Sequence, residues 1–168
     1  LLISMNIKIL CREPNNRTRF LTDSLAPYGN VNVVQHNRNA IKGYCGMCSC
    51  GLADPTWTTA WDMAFYNIEI VDTLFVEDDA IGSTSFYEAF FNKTFNTEYV
   101  GCNVIAKSDD PDWTWWHQYK SVGRELKCFN PFCVLKKSLI EKVLEFRKAN
   151  ESFMFHEMLF ASLAGSYT

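Results

Sequence analysis

Long apolar runs are what this 168-residue sequence most plainly lacks. The two strongest, Ile7 to Cys11 and Thr73 to Val76, have the length of a β-strand and fall far short of the ~20 residues that cross a bilayer. No membrane-spanning segment is therefore expected. An excess of basic charge is missing too: 16 Lys plus Arg stand against 19 Asp plus Glu, a formal net charge of −3. Grasping a phosphate backbone needs a positive field, so nucleic acid is not an expected partner. Glycine is sparse, with 8 residues, and the turn after the first apolar run reads Glu13-Pro14-Asn15-Asn16, which is no Gly-rich phosphate cradle. Internal repeats and low-complexity tracts are absent.

Seven cysteines are too few and too irregular for a disulfide scaffold, and an odd count leaves one unpaired. Cys45, Cys48 and Cys50 form a C-x-x-C-x-C cluster to which Cys128 or Cys133 could add a fourth ligand for structural zinc. Sequons at Asn16, Asn92 and Asn150 would matter in a secretory compartment. A cytoplasmic location is the first expectation, with lumenal and virus-encoded origins left open. The 48% hydrophobic content suits one substantial core and not two. Leu1 in place of methionine, and Thr168 directly after an apolar segment, lead us to expect a single catalytic domain over 1–168 cut from a longer chain.

What is present alternates. Ile7 to Cys11 reads as a buried strand, Arg17 to Leu25 as a short helix and Val31 to Val34 as a second strand; a long polar loop from Gln35 to Gly51 follows. Trp57, Ala60, Trp61, Ala64 and Phe65 fall at helical spacing behind Asp54 and Pro55. Thr73 to Val76 is the next strand, followed by a helix opened by Ser85 and Glu88 as a capping box. Tyr99 to Ile105 and Phe132 to Leu135 read as strands. Ser138 with Glu141 caps a helix from Leu139 to Arg147, and Phe153 to Ala164 is a helix apolar on nearly every side. Such alternation predicts an α/β/α sandwich with a mostly parallel central sheet, whose ligands bind at the carboxyl ends of strands.

At one of those ends stands Glu77-Asp78-Asp79. Three consecutive carboxylates are costly together unless a cation neutralises them. Mg²⁺ or Mn²⁺ typically takes one or two protein carboxylates plus substrate phosphates, and such an ion stabilises a departing diphosphate as a Lewis acid. The competing reading is a solvated acidic turn before a helix N-terminus. Arg12, straight after the first strand, is placed to approach the same edge. Glu157 interrupts an apolar helix face, where burial would raise its pKa toward that of a general base, unless it is a core acid paired with a cation. Trp113, Trp115 and Trp116, with Asp110 among them, could form a platform for sugar rings or close one edge of the core.

The strand, "FVEDDA" and following helix resemble the DxD-type segment of GT-A glycosyltransferases, a Rossmann-like α/β fold. The helix "PTWTTAWDMAFY" resembles the one that packs under the nucleotide in that family, with Asp62 its polar exception. "CFNPFCVLKKSLIEKVLEF" and "FHEMLFASLA" resemble the acceptor-side strand and helix. In size and style the chain is similar to the small glycosyltransferase domains of large algal viruses. The resemblance implies a metal-dependent enzyme moving a sugar from a nucleotide diphosphate donor, UDP favoured, to a glycan or protein-linked acceptor hydroxyl. It implies Asp79 as ligand to Mn²⁺ or Mg²⁺, with Glu77 and Asp78 assisting at metal or ribose. Many members carry a further metal-binding histidine near the domain's end, for which His156 is the candidate, against the reading of a satisfied core histidine. Glu157 would be the base of an inverting transfer. A sugar nucleotidyltransferase or metal-dependent phosphohydrolase would use the same carboxylates, and a non-catalytic carbohydrate-binding domain would use them only as a helix cap.

Overall fold

The computed structural model describes residues 5–38, 41, 46–48, 58–150 and 153–168. Its centre is a five-stranded open sheet of order β2-β1-β3-β5-β4, made by β1 (Met5–Cys11), β2 (Gly29–Gln35), β3 (Thr73–Glu77), β4 (Tyr99–Ala106) and β5 (Leu126–Leu135). The three strands β2, β1 and β3 are parallel, and β5 runs antiparallel to both β3 and β4.

The period-2 alternation of a strand sorts the core into two layers. Ile7, Ile9, Leu74, Val76 and Val134 face α1 (Asn16–Leu25) through Leu21 and Leu25. Leu10, Phe75, Cys133 and Leu135 belong to the opposite core, with Trp61, Ala64 and Phe65 of α2 (Ala60–Tyr66). Tyr87 of α3 (Thr84–Phe91) joins the α1 side, whereas α4 (Lys137–Ala149) and α5 (His156–Leu163) join α2. The architecture is thus a mixed α/β sandwich compatible with a Rossmann-like fold. No helix among the described residues is long and apolar enough to cross a membrane.

Several boundaries differ from the sequence reading for local reasons. The second helix begins at Ala60, because Thr59 and Asp62 close a capping box there; Asp54, Pro55 and Trp57 lie outside the described residues. Ser83, and not Ser85, caps α3 by accepting from the Phe86 N–H at 3.2 Å. Ser138 caps nothing: its hydroxyl donates to Glu98, and Asp72 accepts from the Lys137 N–H at 2.8 Å to serve the start of α4. The last helix starts at His156, three residues later than its apolar content suggests.

The largest difference is β5, which runs 10 residues instead of four and includes Pro131. Its pairing with β4 shifts register between Val100 and Cys102 and again before Ile105. Pro131 has no N–H to give to a ladder and is tolerated at such an irregularity. Asn103, with φ of 51°, lies in the second shift. In the same stretch, a Cβ on Gly101 would come within 1.9 Å of the Tyr99 hydroxyl oxygen and 2.6 Å of Cε1. Tyr99 is fully buried and cannot swing away. Gly101→Ala is therefore expected to cost about 1–3 kcal/mol of stability through overpacking, as read by urea unfolding. Unchanged stability would mean that the Tyr99 ring does not cover residue 101.

Candidate functional site

The chain winds outward from β1 to β2 on one side and continues at β3 on the other, so the carboxyl ends of β1 and β3 form the topological switch point of the parallel strands. Ligands of open α/β sheets bind at such a crevice. The ladder continues one step past the strands there, with the Asp78 N–H donating to the Leu10 carbonyl at 2.9 Å. That bond fixes the turn carrying the three acids.

The three carboxylates do not converge. Glu77 is directed to the α2 side, where the Trp61 Nε1–H donates to its Oε1 at 2.9 Å. Burial pushes the pKa of Glu77 up, the Trp61 bond offsets part of this, and the charges of Asp79 and Asp78 push it up further. Asp78 faces the α1 side, where its Oδ2 accepts from Asn15 Nδ2 at 2.8 Å and lies 3.5 Å from an Arg17 nitrogen. Asp79 is exposed on the turn. Among the described residues no three of His, Cys, Asp and Glu form a group that could hold a metal ion. What the turn offers is one or two carboxylates, the share that Mg²⁺ takes from a protein when phosphates and water complete its shell.

On the α1 side, Arg12, Glu13, Pro14, Asn15, Arg17, Arg38 and Asp78 line an open groove of about 470 Å³. Arg12, which directly follows β1, lies on this lining. Arg17, Arg38 and Asn15 were not foreseen, since Arg17 reads as an ordinary helix residue and Arg38 as part of a polar loop.

On the other side stands Glu157, half-buried in the first turn of α5. Burial and then the neighbouring Glu77 charge raise its pKa to about 7, with Lys127 acting in the opposite sense. Lys127 reaches this edge because the first half of β5 runs past the end of β3. It pairs with Asp110 and lies 4.7 Å from the centre of the Trp113 ring. Trp113 stacks on Phe155 at 5.8 Å, and Trp115 meets the same ring at 5.4 Å edge to face. Both indoles are half-buried. The structure therefore brings Glu77, Glu157, Asp110, Trp113 and Trp115 into one neighbourhood linked by Lys127 and Phe155, neither of which the sequence singled out.

Three expected site residues belong to the scaffold instead. Asp62 is fully buried; it accepts from the Thr59 N–H and hydroxyl and from the Met47 N–H, so its carboxylate ties the 46–48 segment to α2. Trp116 is a core residue whose Nε1–H donates to the Asp110 carbonyl at 2.7 Å. His156 is 3% exposed, stacked on Trp61 at 4.3 Å, and its Nδ1 accepts from Asn130 Nδ2 at 3.1 Å. Burial lowers its pKa to about 3, so it is a neutral core histidine and no partner of the acidic turn. Of the proposed zinc ligands, Cys128 and Cys133 are buried thiols whose pKa burial raises, that of Cys128 to about 12, whereas Cys45 and Cys50 lie outside the described residues. In comparisons with known proteins, no family model, no curated protein and no solved structure matches the chain.

Glu157 makes the site testable without any ligand. The folded protein holds its proton up to about pH 7, while the unfolded chain releases it near the ordinary glutamate value of 4.5. Between these values the folded state binds more protons, so this residue makes stability fall as pH rises. Glu157→Gln is expected to remove that loss and to exceed the wild type by about 1–3 kcal/mol at pH 8, after allowance for solvent screening, with little difference below pH 4.5. Urea unfolding at the two pH values checks this, and a constant difference would place Glu157 in water.

Proposed function

We propose that the chain transfers a sugar from a nucleoside diphosphate donor to an acceptor hydroxyl, as a Rossmann-like enzyme of the GT-A type. The observation that carries this reading is the junction at the end of β3 of two unlike surfaces: a groove bearing three arginines on the Asp78 side, and a half-buried glutamate beside aromatic rings on the Glu77 side. Guanidinium groups recognise phosphate oxygens. Aromatic faces pack on the apolar faces of sugar rings, and a carboxylate with a pKa near neutrality suits removal of a hydroxyl proton.

In this reading the diphosphate lies at the switch point and the acceptor at Trp113 and Trp115. Asp79, the exposed acid, would hold Mn²⁺ or Mg²⁺, with Glu77 or Asp78 adding a second carboxylate. The ion, when bound, would neutralise charge growing on the departing diphosphate. Glu157 accepts the acceptor's proton as its oxygen attacks the anomeric carbon from the face opposite the diphosphate. Burial and then the Glu77 charge keep the proton affinity of Glu157 high, and Trp61 holds Glu77 in place.

Calorimetry with UDP and Mn²⁺, followed by product release from a panel of nucleotide sugars, tests the proposal; absence of both Mn²⁺-dependent binding and turnover rejects it. Asp79→Asn is expected to abolish metal-dependent turnover with the fold intact. Glu157→Gln is expected to retain donor affinity and lose about 10²–10⁴ in turnover. With wild-type enzyme kcat/KM should rise with pH up to about 7 and then level, as Glu157 loses its proton. A product with the donor's anomeric configuration, found by NMR, would overturn the role of Glu157 as base of an inverting transfer.

A further inference from the structure

The groove on the α1 side combines three arginines with two acids, and one of those acids already occupies it. Asp78 Oδ2 takes the Asn15 side-chain amide at 2.8 Å and approaches Arg17 at 3.5 Å, with Arg12 and Arg38 on the same lining. The first N–H groups of α1 do not take part in this: those of Arg17 and Thr18 are satisfied by Asn15 Oδ1 at 2.8 and 3.3 Å. Anion recognition thus falls on side chains. We propose that the groove is a diphosphate site in its own right and that Asp78 is its resident counter-anion, displaced when a diphosphate enters.

Asp78 is a poor match for what surrounds it. Its contact with Arg17 is a single long one to a side chain that is 54% exposed. An exposed pair of that kind contributes little. A diphosphate carries more charge and more acceptor oxygens, and it can take two N–H groups from one guanidinium at once. The groove's volume of about 470 Å³ is within the range of small-molecule sites. On displacement the Asp78 carboxylate leaves Arg17 and Asn15, while its backbone stays on the Leu10 carbonyl. Asn15 keeps its cap on α1 through Oδ1, and the Nδ2–H that Asp78 vacates is left for the ligand. Asp78 then holds Arg17 at the groove without ligand and competes with ligand for it.

The inference rests on the reading above in taking the ligand to be a diphosphate, and a metal-free experiment separates the two. Inorganic pyrophosphate is titrated into the protein by calorimetry in the presence of a chelator, at low and at moderate salt. Wild-type protein is expected to bind, more weakly as salt rises. Arg17→Ala and Arg38→Ala are each expected to weaken binding about 10-fold, and Asp78→Asn to tighten it about 3–10-fold by removing the competitor without changing its shape. Circular dichroism confirms that each variant is folded. UDP tested alongside distinguishes the source of the diphosphate: equal affinity means that the groove reads phosphates alone, tighter binding means that it also holds the nucleoside, and both support the site. Metal-free pyrophosphate binding that is absent, or that Asp78→Asn weakens, overturns the inference even if sugar transfer is found. Binding with the expected variant order, in a protein that transfers no sugar, upholds the groove and rejects the enzyme reading.

Discussion

The side-chain amide of Asn130, in the middle of β5, holds together the parts on which the Glu157 half of the site depends. It is 1% exposed: Oδ1 accepts from the Tyr99 hydroxyl, Nδ2 donates to His156 Nδ1 and the His156 carbonyl, and the single S–H of Cys128 lies within reach of both Oδ1 and the Glu157 carbonyl. A buried polar group left without a partner costs about 1–3 kcal/mol, so moving His156 would leave both N–H groups of the Asn130 amide unpaired. Tyr99 belongs to β4 and His156 to α5, and the amide therefore locks two strands and a helix in one arrangement. With its Nδ1 accepting, His156 carries its proton on Nε2. Its ring lies against Trp61, whose own N–H reaches Glu77. The first turn of α5, and Glu157 with it, is positioned relative to the end of β3 by that relay.

How far this was legible in the sequence follows from which residues carry it. β1 and β3 are covered on both faces, so they read as continuous apolar runs and were found within two residues of their ends. The acidic turn is equally plain as the end of the strand, although its charges fit a helix N-terminus as well as a cation. The first half of β5 was hidden because Lys127, Asn130 and Pro131 break an alternating pattern, and those interruptions are the parts that build the site. His156 and Glu157 are adjacent polar residues in one apolar stretch, and composition does not say which of the two is buried. Helical geometry directs one into the Trp61 stack and leaves the other half-open at the edge. Asp62 looked functional for the same reason that it is structural: a carboxylate in an apolar helix needs partners, and a capping box with Met47 supplies them all.

Strand alternation also explains why the acidic triplet is not a cage. Phe75 and Glu77 point to the α2 and α5 layer, Val76 and Asp78 to the α1 layer. Consecutive carboxylates at the end of a strand must separate in this way, whatever their charge prefers. One acid is given to the arginine groove, the next to the aromatic and carboxylate side, and the third is left on the turn. A single short motif can serve two surfaces because the pleat divides it.

The direction of β5 decides what stands opposite Glu77. In a fully parallel sheet the neighbour of β3 would contribute only its following loop to this edge. Antiparallel β5 instead arrives from beyond the edge, so the wall facing Glu77 is a paired strand whose side chains are held in register by β4 and by the Asn130 network. Groups on regular elements keep their geometry better than groups on loops. Lys127 is fixed on that wall, and its charge is divided between Asp110, with which it pairs, and Glu157, whose pKa it lowers. Glu77 acts on Glu157 in the opposite direction. The proton affinity of Glu157 is thus raised first by burial and then by the Glu77 charge at the end of β3, and Lys127, the second residue of β5, pulls it back toward neutrality.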